Sequence, residues 1–311
     1  MTVKIVTDST ADLPPDLARE LDITVVPVYV NMRGRCYRDG VDVSLDEIYQ
    51  KMVDGGTPIT TSQPAPADFA DTYRRLLKET DEIISINLTG RLSGVYSSAL
   101  QGREMAGGKG RIEVVDSCSI SMGIGLMAVA AARLAEAGAN LPRILEDTRA
   151  AMSRVHIWGM LDTLKYVLRS GRLGKAKALL GGLLSVKPML TMKNGELFPS
   201  SFVRTRLRGM DKLIDNFKSF INVEEIGIVH STTPDEAQNL RSRLSAVLDN
   251  RRIHLSRLGP ALGVHGGPGT LILALRERLP APETGILSKS KKLINLPSFH
   301  NPRLNIEVSG R

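Results

Sequence analysis

Five short segments bring together side chains whose types and spacing can do chemistry. Thr7-Asp8-Ser9-Thr10 offers three hydroxyls and a carboxylate where a first strand should end. Thr60-Thr61-Ser62-Gln63-Pro64 is a run of hydroxyls ahead of a helix expected near Ala67. Leu92-Ser93-Gly94 opens another expected helix, with Ser93 as its natural N-cap and Gly94 allowing a ligand close to the backbone. In Arg169-Ser170-Gly171-Arg172, Gly171 should end a helix and leave Arg172 at its junction. Gly263-Val264-His265-Gly266-Gly267-Pro268-Gly269 surrounds one histidine with glycines and a proline, directly before a helix expected over residues 270–279.

The chemistry these segments share is the recognition of an anion. Free amides at helix starts and the helix dipole supply positive potential, and hydroxyls supply directed donors. Each segment also has a plainer reading. Asp, Ser and Thr cap helices and close turns, and a lone surface arginine is ordinarily solvated. Two hydroxyl-bearing helix starts at the same end of one sheet favour a ligand over two unrelated caps. Nucleophilic and metal chemistry have no such support. Cys118, in Asp116-Ser117-Cys118-Ser119, has no base near it in sequence, there is no Gly-x-Ser-x-Gly elbow, and no histidine pair has metal-ligand spacing. The glycine-rich loop matches neither a Walker loop nor a dinucleotide fingerprint. No catalytic residue and no metal ligand is assigned.

The elements that must position these residues follow from the pattern of the chain. Apolar, β-branched runs at residues 3–7, 23–30, 83–88 and 112–115 alternate with helical stripes such as Phe69, Tyr73, Leu76 and Leu77. That alternation predicts a parallel sheet covered on both faces, with ligands at the carboxyl ends of its strands. The second half reads differently. Residues 185–192 and 197–203 flank Asn194-Gly195, a hairpin signal. Strands are expected at 155–161, 226–230 and, as the last, 253–258. One helix carries Leu207, Met210, Leu213, Ile214 and Phe217, and another, begun by Pro234, carries Ala237, Leu240, Leu244, Val247 and Leu248. The expected fold is α/β with two domains. Residues 1–155 form a parallel-sheet, three-layer α/β/α domain, residues 156–280 a two-layer α/β domain with a mixed sheet, and residues 281–311 a basic tail broken by prolines.

At 311 residues, the chain is long enough for two domains with large cores. No apolar stretch approaches the roughly 20 residues that span a bilayer. The start lacks the basic-then-apolar order of a signal peptide, and two cysteines, Cys36 and Cys118, fit a reducing cytoplasm. Net charge is +8, yet residues 165–212 hold 11 basic and 2 acidic side chains, a net of +9, so the rest sums to −1. The excess is one local surface, which can serve a nucleic acid, an anionic membrane, an acidic protein or an anionic ligand, and steeply salt-dependent DNA binding would mark the first. At 4% aromatics the chain is short of base-stacking platforms, and no nucleic-acid partner is expected.

Taken in order, the segments resemble the DegV family of bacterial fatty-acid-binding proteins. Thr7-Asp8-Ser9-Thr10 resembles its opening loop, Thr61-Ser62-Gln63-Pro64 its Thr-Ser-Gln-Pro signature, and Leu92-Ser93-Gly94 its Leu-Ser-Gly segment. Asp116-Ser117 with Ser121, Gly123 and Gly125, then Leu164 to Arg172, Val203-Arg204-Thr205 and His265 to Gly269 continue the correspondence. Ser170, Val95 and Gly266 depart from it, and none is a head-group residue. The resemblance implies a cytoplasmic carrier, not itself catalytic, with no cofactor beyond a bound long-chain fatty acid. Thr61 and Ser93 would hold the carboxylate. Arg172 and His265 would contact the head group or dock a separate, dihydroxyacetone-kinase-like fatty acid kinase that forms an acyl phosphate. Ser62, Gly94 and Asp8 are weaker candidates, and transient contact with an anionic membrane fits the basic stretch. The alternative is a stand-alone phosphoryl-transfer or hydrolytic enzyme acting on a small anionic substrate, with Asp8, Arg172 and His265 as its working groups.

Overall fold

The β-branched run near the start forms β1 (Lys4–Asp8), which leads through a 3-10 turn, Ser9–Ala11, to α1 (Pro15–Glu20) and β2 (Ile23–Val26). A computed structural model describes residues 2–55, 58–173 and 186–278. Next come β3 (Tyr29–Met32), β4 (Arg35–Arg38), α2 (Leu45–Asp54) and β5 (Ile59–Ser62). The first half closes with α3 (Pro66–Leu76), β6 (Glu82–Asn87), α4 (Val95–Ala106), β7 (Arg111–Asp116), α5 (Met122–Glu136) and α6 (Leu141–Ala151). The second half runs β8 (Val155–Met160), α7 (Lys165–Ser170), β9 (Lys187–Lys193), β10 (Glu196–Val203), α8 (Arg206–Lys218), β11 (Val223–His230), α9 (Pro234–Leu244), β12 (Ile253–Arg257), α10 (Pro260–Gly266) and β13 (Leu271–Glu277).

The strands form three sheets. One is parallel, in the order β2-β1-β6-β7, and it is covered on both faces: residues 83–87 of β6 are all buried. The second is a mixed six-stranded sheet, β10-β9-β8-β13-β11-β12, in which only β11 and β12 run parallel. The expected parallel and mixed sheets are therefore both present. The hairpin turn is the one Asn194-Gly195 announces, with both residues at positive φ (50° and 80°), as a two-residue primed turn requires. The third sheet, β4-β3-β5, is antiparallel and was not expected.

Two expectations fail for identifiable reasons. The run 23–30 is not one strand: Pro27, which has no N–H to donate, divides it, and β2 joins the parallel sheet while β3 joins the small one. Residues 271–277 are strand β13, not a helix, so residues 253–258 do not hold the last strand. Leu271 to Leu275 are all buried, because β13 lies between β8 and β11 in the sheet. A strand buried on both faces shows a continuous apolar run that periodicity cannot separate from a helix. The stripe after Pro234 also ends early, and Val247 is exposed. The tail, residues 281–311, lies outside the described residues, as do Lys175 and Lys177 of the basic stretch.

Helix α5 joins the two large sheets. Twelve of its 15 residues are buried, so it has almost no solvent face. Ile124, Met127, Ala128 and Ala131 pack into the core of the parallel sheet. Met122 and Leu126, one turn apart, pack with Ile157, Val229, Ile272 and Ala274 of the mixed sheet. Gly227 of β11 has no side chain because Met122 already fills the space: an added Cβ would lie 2.4 Å from Met122 Cβ. At the far end of α5, Arg133 pairs with Glu225 of β11, which also binds Arg276 and accepts from His254 (3.1 Å). No described helix is long and apolar enough to cross a membrane.

Burial works to raise the Glu225 carboxyl, but the hydrogen bond from His254 and the charges of Arg133 and Arg276 outweigh it and hold it at about 2. Because this lies below the ordinary 4.5, the unfolded chain binds the proton first as pH falls. The stability that Glu225 contributes, about 3 kcal/mol, is thus complete above the ordinary value and lost on descending to the folded one. Urea unfolding as a function of pH should show this acid limb in the wild type and a flatter one in Glu225→Gln.

Candidate functional site

A cavity of about 1070 Å³, its open mouth included, lies at the carboxyl ends of the parallel strands. Thr10 follows β1, Leu88 follows β6 and Ile120 follows β7, and all three line it. This is where an α/β sheet of this kind places its ligand. The opposite wall is the face of the mixed sheet, with Ile157 and Leu161 on and just after β8, Leu190 and Met192 on β9, and Ile272 on β13. Helix α10 closes a further side with Ala261, Leu262 and His265. Thr191 also lines the cavity, but its hydroxyl donates to the carbonyl of Ile157 (2.8 Å) and adds no free donor.

The polar groups gather at one end. Thr61, Ser62, Gln63, Ser93, Gly94, Arg172 and His265 all border the cavity. Of the described lining residues, Arg172 alone carries a formal charge when His265 is neutral. The sequence segments therefore converge, although their local structure differs from expectation. Thr61 lies in strand β5, five residues ahead of α3, so the run precedes a helix as expected but does not cap it: Asp68 does, accepting from the Ala65 amide. Ser93 does not cap α4: the cap position is Gly94, and among the described residues no side chain bonds it and the Ser93 hydroxyl has no partner. Gly94 has a packing reason as well, since a Cβ there would lie 3.0 Å from the Gln63 side chain. Gly171 ends α7 in the left-handed conformation (φ 74°), as its type predicts, and Arg172 donates back to the Ser170 carbonyl (2.6 Å).

His265 lies in the last turn of α10, and the glycine loop after it leaves a helix and enters strand β13. It offers no helix N-terminus to an anion. Its glycines serve close approach instead: Gly267 and Gly269 have positive φ (84° and 80°), and a Cβ on either would strike Tyr166 or Asp162. The His265 imidazole meets the Thr61 hydroxyl, Nε2 to Oγ1, at 2.8 Å. Burial, with the charge of Arg172 adding to it, lowers the imidazole to about 4. At neutral pH the ring is uncharged. In the Nε2–H tautomer it donates to Thr61 and leaves the Thr61 proton free to point at a ligand.

Asp8 is not part of this constellation. It is fully buried and accepts from the Leu88 amide (2.8 Å) and from Thr10, fixing the end of β1 to the end of β6. Cys118 is exposed, and partial burial and then Asp116 push its thiol up, away from thiolate chemistry. Among the described residues no cluster of His, Cys, Asp or Glu could hold a metal ion.

Two groups that the sequence reading passed over hold α10 in place. The Asp12 carboxylate accepts from Ser121 Oγ (2.6 Å) and from the Gly259 amide (2.7 Å). Asp39 accepts from Ser9 Oγ (2.8 Å) and the Ala261 amide (3.4 Å). Burial raises both carboxyls, Asp39 to about 6 and Asp12 well above the usual range. A second hollow lies on the outer side of the polar end. It shares Thr61, Arg172 and His265 with the cavity, and Lys51, Lys165 and Arg169 are among the other residues that line it.

The sequence of residues 2–278 matches the family described as "Uncharacterised protein, DegV family". The chain belongs to the DegV family. A DegV domain-containing protein of Caldanaerobacter subterraneus is 36% identical over 269 residues, 86% of this chain and 95% of that protein. A solved DegV family protein from Thermus thermophilus, described by its fatty acid binding, has a TM-score of 0.83 and 34% identity over 89% of this chain and all of that one. DegV of Bacillus subtilis, described as a fatty acid binding protein, has a TM-score of 0.79 and 28% identity over 89% of this chain and 100% of its own. A stearic acid-binding protein of Eubacterium ventriosum has a TM-score of 0.77 and 27% identity, covering 88% of this chain and 98% of that one.

In this DegV-family chain the His265 ring should titrate near pH 4, observable as the ring C–H resonance that His265→Asn removes. Arg172→Gln should move that midpoint upward, because one of the two effects holding it down is the guanidinium charge.

Proposed function

We propose that this protein binds one long-chain fatty acid and presents its carboxylate to a separate kinase. The observation that carries the reading is the division of the cavity: apolar along the mixed sheet, and polar with one guanidinium at the end that adjoins the outer hollow. A monoanion with a long aliphatic tail matches that division, and a small, fully polar anion does not. The fatty acid binding of similar solved DegV proteins supports the same ligand class.

Affinity and orientation then come from different parts of the ligand. Burying a chain of roughly sixteen carbons at ~0.8 kcal/mol per methylene is worth about 11–12 kcal/mol before costs. Each hydrogen bond to the carboxylate adds about 1.5–3 kcal/mol. The tail holds the lipid, against residues supplied largely by the 156–280 half of the chain, and the hydroxyls of Thr61 and Ser93 aim the head. Ser62 and Gly94 complete the polar rim. Arg172 and His265 stand where a phosphoryl group would be transferred onto the carboxylate by a dihydroxyacetone-kinase-like fatty acid kinase. The cations of the outer hollow favour docking of an acidic kinase surface and transient contact with an anionic membrane from the cytoplasm. The protein itself acts as carrier rather than catalyst.

Solvent extraction of the purified protein followed by mass spectrometry should release a long-chain fatty acid, and a protein that carries none and takes none up refutes the reading. With the kinase present, the double variant Thr61→Ala, Ser93→Ala should lose acyl phosphate formation at least tenfold, the loss of about one carboxylate hydrogen bond. It should keep most of its bound lipid. Magnesium-ATP alone should give no turnover, and turnover without kinase would support the stand-alone enzyme instead.

A further inference from the structure

Strand β8 alternates strictly, and one position of that alternation is empty. Trp158 and Met160 face the core built with Met210, Leu213 and Ile214 of α8. Ile157 and Leu161 face the cavity. Gly159 shares their face by the two-residue period of a strand and also lines the cavity. Its register neighbours are Leu190 on β9 and Ile272 on β13, both cavity residues. The side-chain-free position therefore lies in the middle of the apolar wall.

Interior strand glycines weaken a sheet and need a reason, either backbone geometry, close packing or the approach of a ligand. Gly159 is not at positive φ, so geometry does not demand it. Packing does not demand it either. Gly209 and Gly227 are glycines because Met160 Sδ and Met122 Cβ occupy the space, 2.0 and 2.4 Å from where a Cβ would lie. A Cβ at 159 would meet Ile272 Cγ1 at 3.5 Å and Leu161 Cδ1 at 3.9 Å, both ordinary contacts, and no other atom of the described residues within 4 Å beyond its chain neighbours. The protein leaves room for a side chain there, and the room belongs to the cavity.

We propose that Gly159 is a specificity determinant: its missing side chain opens the floor over which a long acyl chain runs, and so sets the chain length the site accepts. The inference rests on the fatty-acid reading above and deepens it. Filling the notch should shorten the preferred ligand without unfolding the protein, because β-branched residues suit a strand and none of the described residues clashes with a Cβ at this position.

The test compares wild type, Gly159→Ala and Gly159→Val for displacement of a fluorescent fatty acid by a saturated series from lauric to stearic acid. Thermal unfolding serves as the control for folding. Gly159→Val should keep its affinity for lauric acid and lose stearic acid by roughly fourfold for every methylene that no longer fits. Gly159→Ala should fall between, with a melting temperature no lower than wild type, and it decides the matter if the valine variant does not fold. An unchanged ranking of the series in a folded variant overturns the role of Gly159 while leaving lipid binding intact. A wild type that binds none of the series overturns the fatty-acid reading and this inference with it.

Discussion

The arrangement depends on a helix with almost no exposed face. Most residues of α5 are buried, and it packs against β1 and β6 on one side and β8, β11 and β13 on the other. A helix in that position must be small enough for sheets to approach from both sides, and its Gly-x-Gly start and alanine-rich centre meet that need. The consequence is geometric. With one helix shared, the two sheets cannot slide independently, and the carboxyl ends of the parallel strands are held facing the mixed sheet across a gap. That gap is the cavity. The described residues accordingly pack as one compact unit, although sheet membership changes between β7 and β8.

The second determinant is how α10 is held. Its start is bound by two buried carboxyls, Asp12 and Asp39, through the Gly259 and Ala261 amides, and Tyr49 donates to the Leu258 carbonyl just before it. Burying carboxyl groups is costly unless they are hydrogen-bonded; both oxygens of Asp12 and Oδ2 of Asp39 accept from groups of the 3-10 turn, the residue before α5 and the start of α10. The expense fixes the orientation of a seven-residue helix that would not be stable alone. His265, at its other end, thereby reaches Thr61 on a different sheet. Keeping the ring neutral matters as much as placing it. A second cation beside Arg172 would alter the charge balance at the polar end, whereas a neutral ring transmits only direction.

Much of this was legible in the chain. The parallel order of β1, β6 and β7, the hairpin at Asn194-Gly195 and the helix end at Gly171 follow from strong local signals, because φ > 0 and β-branching leave little choice. The segments that hold Thr61, Ser93, Arg172 and His265 stand out by residue type, the resemblance to the family singles out these four within them, and they border one cavity. What failed did so where local sequence underdetermines structure. Leu271 to Leu275 fits a buried strand or a buried helix equally well, and only its place between β8 and β11 decides. Ser93 looks like a cap, but α4 begins two residues later. Asp12 and Asp39 look like turn residues. Their partners, Ser121, Gly259 and Ala261, lie 109, 247 and 222 residues away in sequence, beyond any local pattern. Gly159 could have been noticed as a glycine inside the strand Val-His-Ile-Trp-Gly-Met, but its meaning needs the register of β9 and β13.

The wall between the cavity and the outer hollow explains why a lipid carrier would be built this way. Thr61, Arg172 and His265 line both sides, so the barrier is a single layer of side chains. A fatty acid tail gains most by leaving water entirely, and its carboxylate loses most by doing so. A cavity that is apolar along the mixed sheet and ends at a thin polar wall would resolve the conflict: the methylenes would be sequestered, and the charged end would stop where hydroxyls and a guanidinium replace its water. The cations beyond that wall then act on a group already fixed in place. On the proposed reading, recognition of the tail and access to the head would be separable properties of one cavity, governed by different residues: the strand face of β8, β9 and β13 for the first, and the ends of β5, α7 and α10 for the second.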